Sequence, residues 1–267
     1  MQVAVTTPLR PTPEDETAAR ACATRFGLPF TPRGNRGLDE AVARCGAGGF
    51  LVLSARRAIL AIRGAEPGAR GWTEHVWSAG MGLLRMKRVL RRGGDPTERD
   101  PFLDAARIRP GDAVLDCTLG LGADALVAAA AAGAEGRVVA LEASPALAAW
   151  TAEGLARLSA PPAGRVEVRA ADHAAALEAL PDRSFDVVAF DPMFRHARAE
   201  PGGFDAVRLL ADPSPLAPAV LARARRVARR WVVVKDGAPG WDLARLGLTP
   251  LPSARGAHRY YARLAAE

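Results

Sequence analysis

The segment Val114-Leu115-Asp116-Cys117-Thr118-Leu119-Gly120-Leu121-Gly122-Ala123-Asp124 constrains the fold more tightly than any other part of the chain. An apolar run ends in a carboxylate, passes through a loop with two glycines and enters an alanine-rich stretch, which reads as strand, turn and helix. Glycine lets the main chain pass close beneath a ligand, and the unpaired N–H groups at a helix start can bind a ligand's polar groups. The rhythm then repeats. Strands fit 113–117, 137–142, 165–169, 185–191 and 231–235, and helices fit 123–132, 145–158, 174–180 and 216–229. Such alternation implies an α/β fold with a parallel sheet covered by helices on both faces. A helix over 241–246 and a last strand over 258–264, antiparallel to the rest, complete the expectation.

The first third of the chain reads differently. Thr12 can cap a helix whose first position suits Pro13, Glu14 and Asp15 complement its dipole, and Gly27 can end it. A short helix fits 38–44, and two short strands fit 50–54 and 58–63 around a turn. We expect a small N-terminal α/β domain over 1–94 and a larger domain over 95–267. Near their junction, 78–92 reads as an amphipathic helix with Leu83, Met86 and Leu90 on one face. Arg85, Arg88 and Arg92 share another face, flanked by Lys87 and Arg91. A solvated helix face and a nucleic-acid contact both account for that stripe.

Net charge is +7, and a basic surplus favours a polyanionic partner. Residues 1–100 hold 16 Lys+Arg against 10 Asp+Glu, while 101–267 hold 20 against 19, so the excess sits in the first third. Lysine is confined to Lys87 and Lys235, an arginine bias that a GC-rich genome also produces. Without a run of 18 apolar residues, a membrane-spanning helix is not expected. Nor does the N-terminus read as a secretory leader. Cys22, Cys45 and Cys117 lack CxxC spacing, which points to a reducing cytoplasm and away from zinc. The four histidines form no HExxH, and the Walker phosphate loop is missing, so no metal is expected.

Carboxylates fall at successive strand ends. Asp116 closes the first, and Glu142, closing the second, is placed to accept from both hydroxyls of a ribose. Asp172 follows the third, where a side chain meets an adenine amino group or, as readily, caps a helix; His173 is adjacent. The glycine loop alone leaves two ligands open, because Gly120-x-Gly122-x-x-Ala125 also fits the loose dinucleotide fingerprint. Asp116 and three further residues before the first glycine favour a methyl donor over a dinucleotide. The fourth strand then runs into Asp191-Pro192-Met193-Phe194, which resembles the (Asp/Asn)-Pro-Pro-(Tyr/Phe) motif of amino-group methyltransferases. A planar exocyclic amine is a poor nucleophile, since its lone pair is delocalised into the ring. Asp191 and the Pro192 carbonyl can hold its N–H groups while Phe194 stacks on the base, and alignment then supplies much of the acceleration without a metal.

Together, Asp-Cys-Thr-Leu-Gly-Leu-Gly-Ala-Asp and Asp-Pro-Met-Phe resemble the small-subunit ribosomal RNA guanine-N2 methyltransferases of the RsmJ type, which carry D-A-T-A-G-L-G-R-D and D-P-M-(Y/F). The likeness extends over roughly 80–265, through a basic lead-in at 85–99, Val232-Val233-Val234-Lys235 and His258-Arg259-Tyr260. It implies a Rossmann-like, mostly parallel, seven-stranded sheet and S-adenosylmethionine as cofactor. Beyond the loop residues Asp116, Thr118, Gly120 and Gly122, it implies cofactor contacts at Ala123, Asp124, Glu142, Ala143, Asp172, His173 and Asp191. It further implies ribosomal RNA as partner, with Arg85, Arg88, Arg92, Arg195, His196 and Lys235 turned toward it. The family follows its second motif with Pro-His and several lysines, whereas here the run is Arg195-His196-Ala197-Arg198-Ala199-Glu200, which leaves the target nucleotide open. Adenine-N6 methylation of RNA or DNA and methylation of a protein amide use related motifs. An NAD(P)-dependent oxidoreductase or a non-catalytic RNA-binding protein would satisfy the glycine loop alone.

Overall fold

A computed structural model of the chain describes residues 1–64, 71–91, 99–193, 204–253 and 257–267. Two sheets organise it. The first is built from β1 (Val3–Thr6), β2 (Gly49–Leu53), β3 (Ala58–Arg63) and β4 (Trp72–Val76), in that order. β1 runs parallel to β2, and the other pairs are antiparallel. Between β1 and β2 come α1 (Pro13–Phe26) and α2 (Leu38–Cys45). α1 opens with the reciprocal Thr12–Asp15 capping box and stops at Gly27, whose φ of 65° lies in the left-handed region open to glycine. β1 and β4 were not expected. β1 is four residues long and finds its partner only beyond both helices, and β4 is a half-exposed edge with a polar middle.

The chain then forms α3 (Met81–Leu90) and α4 (Pro101–Ala106) before entering the second sheet. Its strands are β5 (Ala113–Asp116), β6 (Arg137–Glu142), β7 (Val166–Ala170), β8 (Phe185–Phe190), β9 (Ala228–Gly237) and β10 (Arg259–Ala265). They lie in the order β10-β9-β8-β5-β6-β7, all parallel except β10. Among the described residues the sheet therefore has six strands, not the seven expected. A single short helix, α10 (Trp241–Arg245), links β9 to β10 where a further strand would have to fit. The connecting helices are α5 (Ala123–Ala132), α6 (Pro145–Ala156), α7 (His173–Ala179), α8 (Phe204–Leu210) and α9 (Pro218–Val227). From β5 the strand order runs one way to β7, and from β8 the other way to β9. Ligands settle in the crevice that such a reversal opens beyond the strand ends, here between β5 and β8.

Packing explains the alanine content. α5 is buried almost all round, with the sheet on one side and α3 and α4 on the other. Small side chains let α3 come very near. A Cβ on Gly82 would stand 2.7 Å from the Cα of Ala123. Because glycine makes that contact, α3 turns Gly82 and Met86 inward and leaves Leu90 48% exposed, so the expected face of Leu83, Met86 and Leu90 is rotated. α6 is enclosed in the same way. Its Gly154 lies under the Trp77 indole, α1 and β3 rest on it, and Arg157 donates to the Ser54 carbonyl at 2.8 Å. One apolar core thus runs from Val5, Leu51 and Leu60 of the first sheet to Leu126 of α5 and Leu147 and Trp150 of α6, which cover the second.

The α3–α5 seam is testable. Gly82→Ala should destabilise the protein by about 1–3 kcal/mol through overpacking, more than the ~0.5–1 kcal/mol that alanine gains over glycine in a helix. Thermal unfolding measures it, and an unchanged or raised midpoint would show that the seam is not this tight.

Candidate active site

At the crevice, local geometry follows from the loop sequence. The buried Asp116 carboxylate accepts from the Thr118 N–H at 3.0 Å, and Thr118 Oγ1 accepts from the Asp191 N–H at 2.6 Å, tying the end of β5 to the end of β8. Gly120 and Gly122 take φ values of 51° and 79°, which only glycine adopts readily. Thr151 Oγ1 of α6 donates to the Gly120 carbonyl at 2.7 Å. Glu142 accepts from the Gly120 N–H at 3.1 Å and the Ser144 N–H at 3.0 Å, one on each oxygen. Each oxygen keeps a second lone pair for a ligand.

Thr118, Gly120, Glu142, Ala143, His173 and the Asp191-Pro192-Met193 run line an open cleft, whose far side is closed by Val207, Ala211, Asp212, Ser214 and Leu216. Three carboxylates reach this wall, from Glu142, Asp191 and Asp212, and among the described residues no lysine or arginine does. Burial raises Glu142 above its ordinary value and lowers His173 below its own. The His173 ring meets Phe190 edge-on.

Behind the wall lies a dense set of charges. Lys235, 8% exposed at the end of β9, donates to Asp191 and, at 3.1 Å, to Asp124 of α5. Arg85 of α3 donates to Asp124 at 2.6 Å and grips Asp100, the N-cap of α4, at 2.7 and 3.0 Å. Burial works against the ionised form of Asp124, but Lys235 and Arg85 outweigh it and hold the group below its usual value. Lys235 is raised: burial opposes its charge, and Asp191 and Asp124 overcome that. Asp191 is raised by burial, with Asp124 adding to the effect and Lys235 opposing it. Burial pushes Asp116 up to about 7, with Asp124 and Asp191 adding to the effect and the Thr118 N–H and Lys235 opposing it.

The structure thus brings Thr118, Gly120, Glu142, Ala143, His173, Asp191 and Pro192 to one cleft, with Asp116, Gly122, Ala123 and Asp124 directly behind it. Asp172 is exposed and caps α7, accepting from the Ala175 N–H at 2.9 Å on one of its two oxygens. Two expected RNA contacts are corrected: Arg85 turns inward to Asp100 and Asp124, and Lys235 is enclosed by carboxylates, so neither offers its charge to a phosphate. Arg88 lies on the exposed side of α3, with Lys87 and Arg91. Arg92, Phe194, Arg195 and His196 lie outside the described residues. Sequence reasoning missed Asp212 and Ser214, although Asp212-Pro213-Ser214 is a recognisable turn whose Asp212 accepts from the Ser214 N–H at 2.9 Å. It also missed Asp100 and Tyr261, the residue paired with Lys235 across β9 and β10.

Comparison with known proteins bears on this geometry. A family model described as SAM-dependent methyltransferase matches residues 82–245. The uncharacterized protein YpiP of Bacillus subtilis is 31% identical over 242 residues, 87% of this chain and 88% of its own length. A ribosomal RNA small subunit methyltransferase J from Nitrosococcus oceani is 34% identical over 241 residues, 86% of this chain and 87% of its own. Among solved structures, a SAM-dependent methyltransferase from Neisseria gonorrhoeae superposes with a TM-score of 0.63 at 22% identity, covering 98% of this chain and 95% of that one.

The raised Asp116 makes stability depend on pH. Folded, its carboxyl stays protonated up to about 7, while in the unfolded chain it ionises near the ordinary aspartate value of 3.8. Folding therefore takes up a proton within that window, and stability contributed by the neutral acid is lost as pH rises through it. Asp116→Asn removes the dependence. The wild type should lose stability relative to Asp116→Asn by up to about 1.4 kcal/mol per pH unit within the window. Denaturant unfolding of both proteins at a series of pH values gives the difference, and a flat difference would mean that Asp116 ionises normally.

Proposed function

The chain belongs to the SAM-dependent methyltransferase family, and on that premise we propose that it methylates an exocyclic amine of RNA, with guanine-N2 of small-subunit ribosomal RNA as the acceptor. The observation that carries the reading is the charge of the cleft wall. Glu142, Asp191 and Asp212 face it with no lysine or arginine among the described lining residues. Such a wall suits a cationic sulfonium donor.

The residues fit S-adenosylmethionine. Glu142 has lone pairs to spare for ribose hydroxyls, the glycine loop offers close main-chain approach, and the start of α5 at Ala123 and Asp124 presents N–H groups to a carboxylate. Asp124 spends its own carboxylate on Arg85 and Lys235, so we assign it a contact through the main chain. His173 and Ala143 flank the adenine end of the cleft in this reading, and Asp172 acts by capping α7. When bound, the donor supplies an electrophilic methyl group on a cationic sulfur. Asp191 accepts an N–H of the amine and, with the Pro192 carbonyl, turns the nitrogen lone pair toward the cleft. Phe194 stacks on the base.

For RNA as substrate, three observations agree. The likeness to ribosomal RNA small subunit methyltransferase J covers most of the chain, Asp191-Pro192-Met193-Phe194 carries the amine motif, and the basic surplus lies in residues 1–100. We divide the chain into an N-terminal RNA-recognition unit over 1–94 and a methyltransferase unit over 95–267, joined by α3. Lys87, Arg88 and Arg91 then carry the phosphate contact first assigned to a stripe that included Arg85.

S-adenosylhomocysteine should bind, and Glu142→Ala should weaken it by about 1–3 kcal/mol, as for lost hydrogen bonds to a charged group. Asp191→Ala should slow single-turnover methyl transfer to unmodified small-subunit rRNA far more than it weakens that binding. Calorimetry and labelled-methyl transfer test the two, and an Asp191→Ala enzyme as fast as wild type would place the reaction elsewhere.

RNA affinity should fall with salt. Lys87→Ala and Arg91→Ala should each make the log–log slope shallower by roughly 0.7–0.9. Unchanged slopes would make this side of α3 an ordinary solvated surface.

A further inference from the structure

We propose that Arg85 and Lys235 are positioning residues for methyl transfer: holding Asp124 between them, they fix the Asp191 carboxylate against the acceptor amine. This rests on the reading of Asp191 as the residue that holds the amine.

The geometry is a chain of five charges of alternating sign drawn from five elements. Asp100, whose Oδ1 accepts from the Phe102 and Leu103 N–H groups at 3.0 and 3.2 Å, anchors it at the start of α4. The Arg85 fork takes both oxygens of Asp100 and extends its remaining nitrogen to Asp124 Oδ1 at 2.6 Å. Asp124 gives its other oxygen to Lys235 at 3.1 Å, and Lys235 reaches Asp191. The side chains of Asp100, Asp124 and Lys235 are each 10% exposed and that of Arg85 is 18%, whereas Asp191 is 32% exposed and opens to the cleft. The series therefore ends at the one member able to meet a substrate.

Its order has a consequence. Two carboxylates compete for the single Lys235 ammonium. With Arg85 in place Asp124 is already neutralised, and Lys235 is left to Asp191. Without Arg85, Asp124 draws Lys235 toward itself, and Asp191 loses both its orientation and the charge that favours its ionised form. The other groups acting on Asp191 are Thr118 and Asp116 from β5 and its loop, and Arg259 and Tyr261 from β10. Of these, Tyr261 also feels the charge of Arg85, which lowers it, so an Arg85 substitution acts on Tyr261 as well as on Asp124.

A merely structural ion pair would change stability and leave the Asp191 titration in place, so titration decides. Carboxyl ¹³C resonances of labelled aspartate, with Asp191 assigned through Asp191→Asn, would be followed in the wild type, Arg85→Gln, Arg85→Lys and Arg85→Gln/Asp100→Asn. The double variant guards against unfolding, because asparagine caps a helix about as well as aspartate and no orphan is left at position 100. The Asp191 midpoint should rise by about one pH unit in Arg85→Gln and in the double variant, the low end of the effect of a nearby charge, and return with Arg85→Lys. With unmodified small-subunit rRNA transcript as substrate, the acid limb of kcat should move by the same amount, while KM for the donor stays within about threefold. A wild-type midpoint in the folded double variant overturns the proposal. So does an Arg85→Gln enzyme with normal kcat and a shallower salt dependence of RNA binding, which would make Arg85 an RNA contact after all. If the wild type leaves the transcript unmethylated, the substrate reading falls, and the carboxyl titration alone decides the role of Arg85.

Discussion

The ammonium of Lys235 sets the terms for this molecule. A lysine 8% exposed stays charged only where opposite charges and hydrogen bonds replace its lost hydration, a penalty of several kcal/mol otherwise. Asp191 arrives from the end of β8, Asp124 from the first turn of α5, and Tyr261 from the opposed strand β10. The two carboxylates can meet there only if β8 and β9 are adjacent and α5 starts directly above them. Asp124 in turn needs Arg85, which needs α3 pressed against α5, which needs a glycine at position 82. Lys235 thus ties the lead-in helix, through Asp124 and Arg85, to the cleft edge of the sheet.

The two ends of the sheet use the same residue types to different effect. At the strand starts, Asp112 accepts from the Arg109 N–H and from Arg230, and Asp186 accepts from the Ala113 N–H and from Arg229. Those carboxylates are matched and pin strands in register. Beyond the strand ends, Glu142, Asp191 and Asp212 line the cleft, and among the described residues no lysine or arginine lines it with them. That surplus of carboxylates suits a cation. Burial raises Asp116, Glu142 and Asp191 alike, whereas Asp124, set between two cations, is lowered.

Close packing joins the two sheets. α5 and α6 are enclosed on both sides, which favours alanine and glycine where neighbours approach: Gly82 on Ala123, and Trp77 on Gly154. Arg157 and Arg25 add hydrogen bonds to Ser54 and Val168 across the same junction. The first sheet and its helices are thereby packed against the part of the chain that carries the acid-lined cleft.

Much of this was legible in the amino-acid sequence. Apolar runs ending in Asp116, Glu142 and Asp191, each before a helix, determined an α/β sheet and placed the acids at one edge, because strand direction and helix start are local properties of the chain. The Thr12 cap, the Gly27 stop and the positive φ at Gly120 and Gly122 were equally local. Which way a charged side chain turns was not. Periodicity put Arg85 on a surface stripe and the family resemblance turned Lys235 toward RNA, yet their partners Asp100, Asp124 and Asp191 come from other elements of the chain. The number of strands, the pairing of β1 with β2 and the share of the cleft given by Asp212 likewise depended on contacts between distant segments. Local geometry fixes the face on which a residue lies. Only the folded chain decides what that face meets, since burial and charge pairing are settled by neighbours that sequence spacing does not specify.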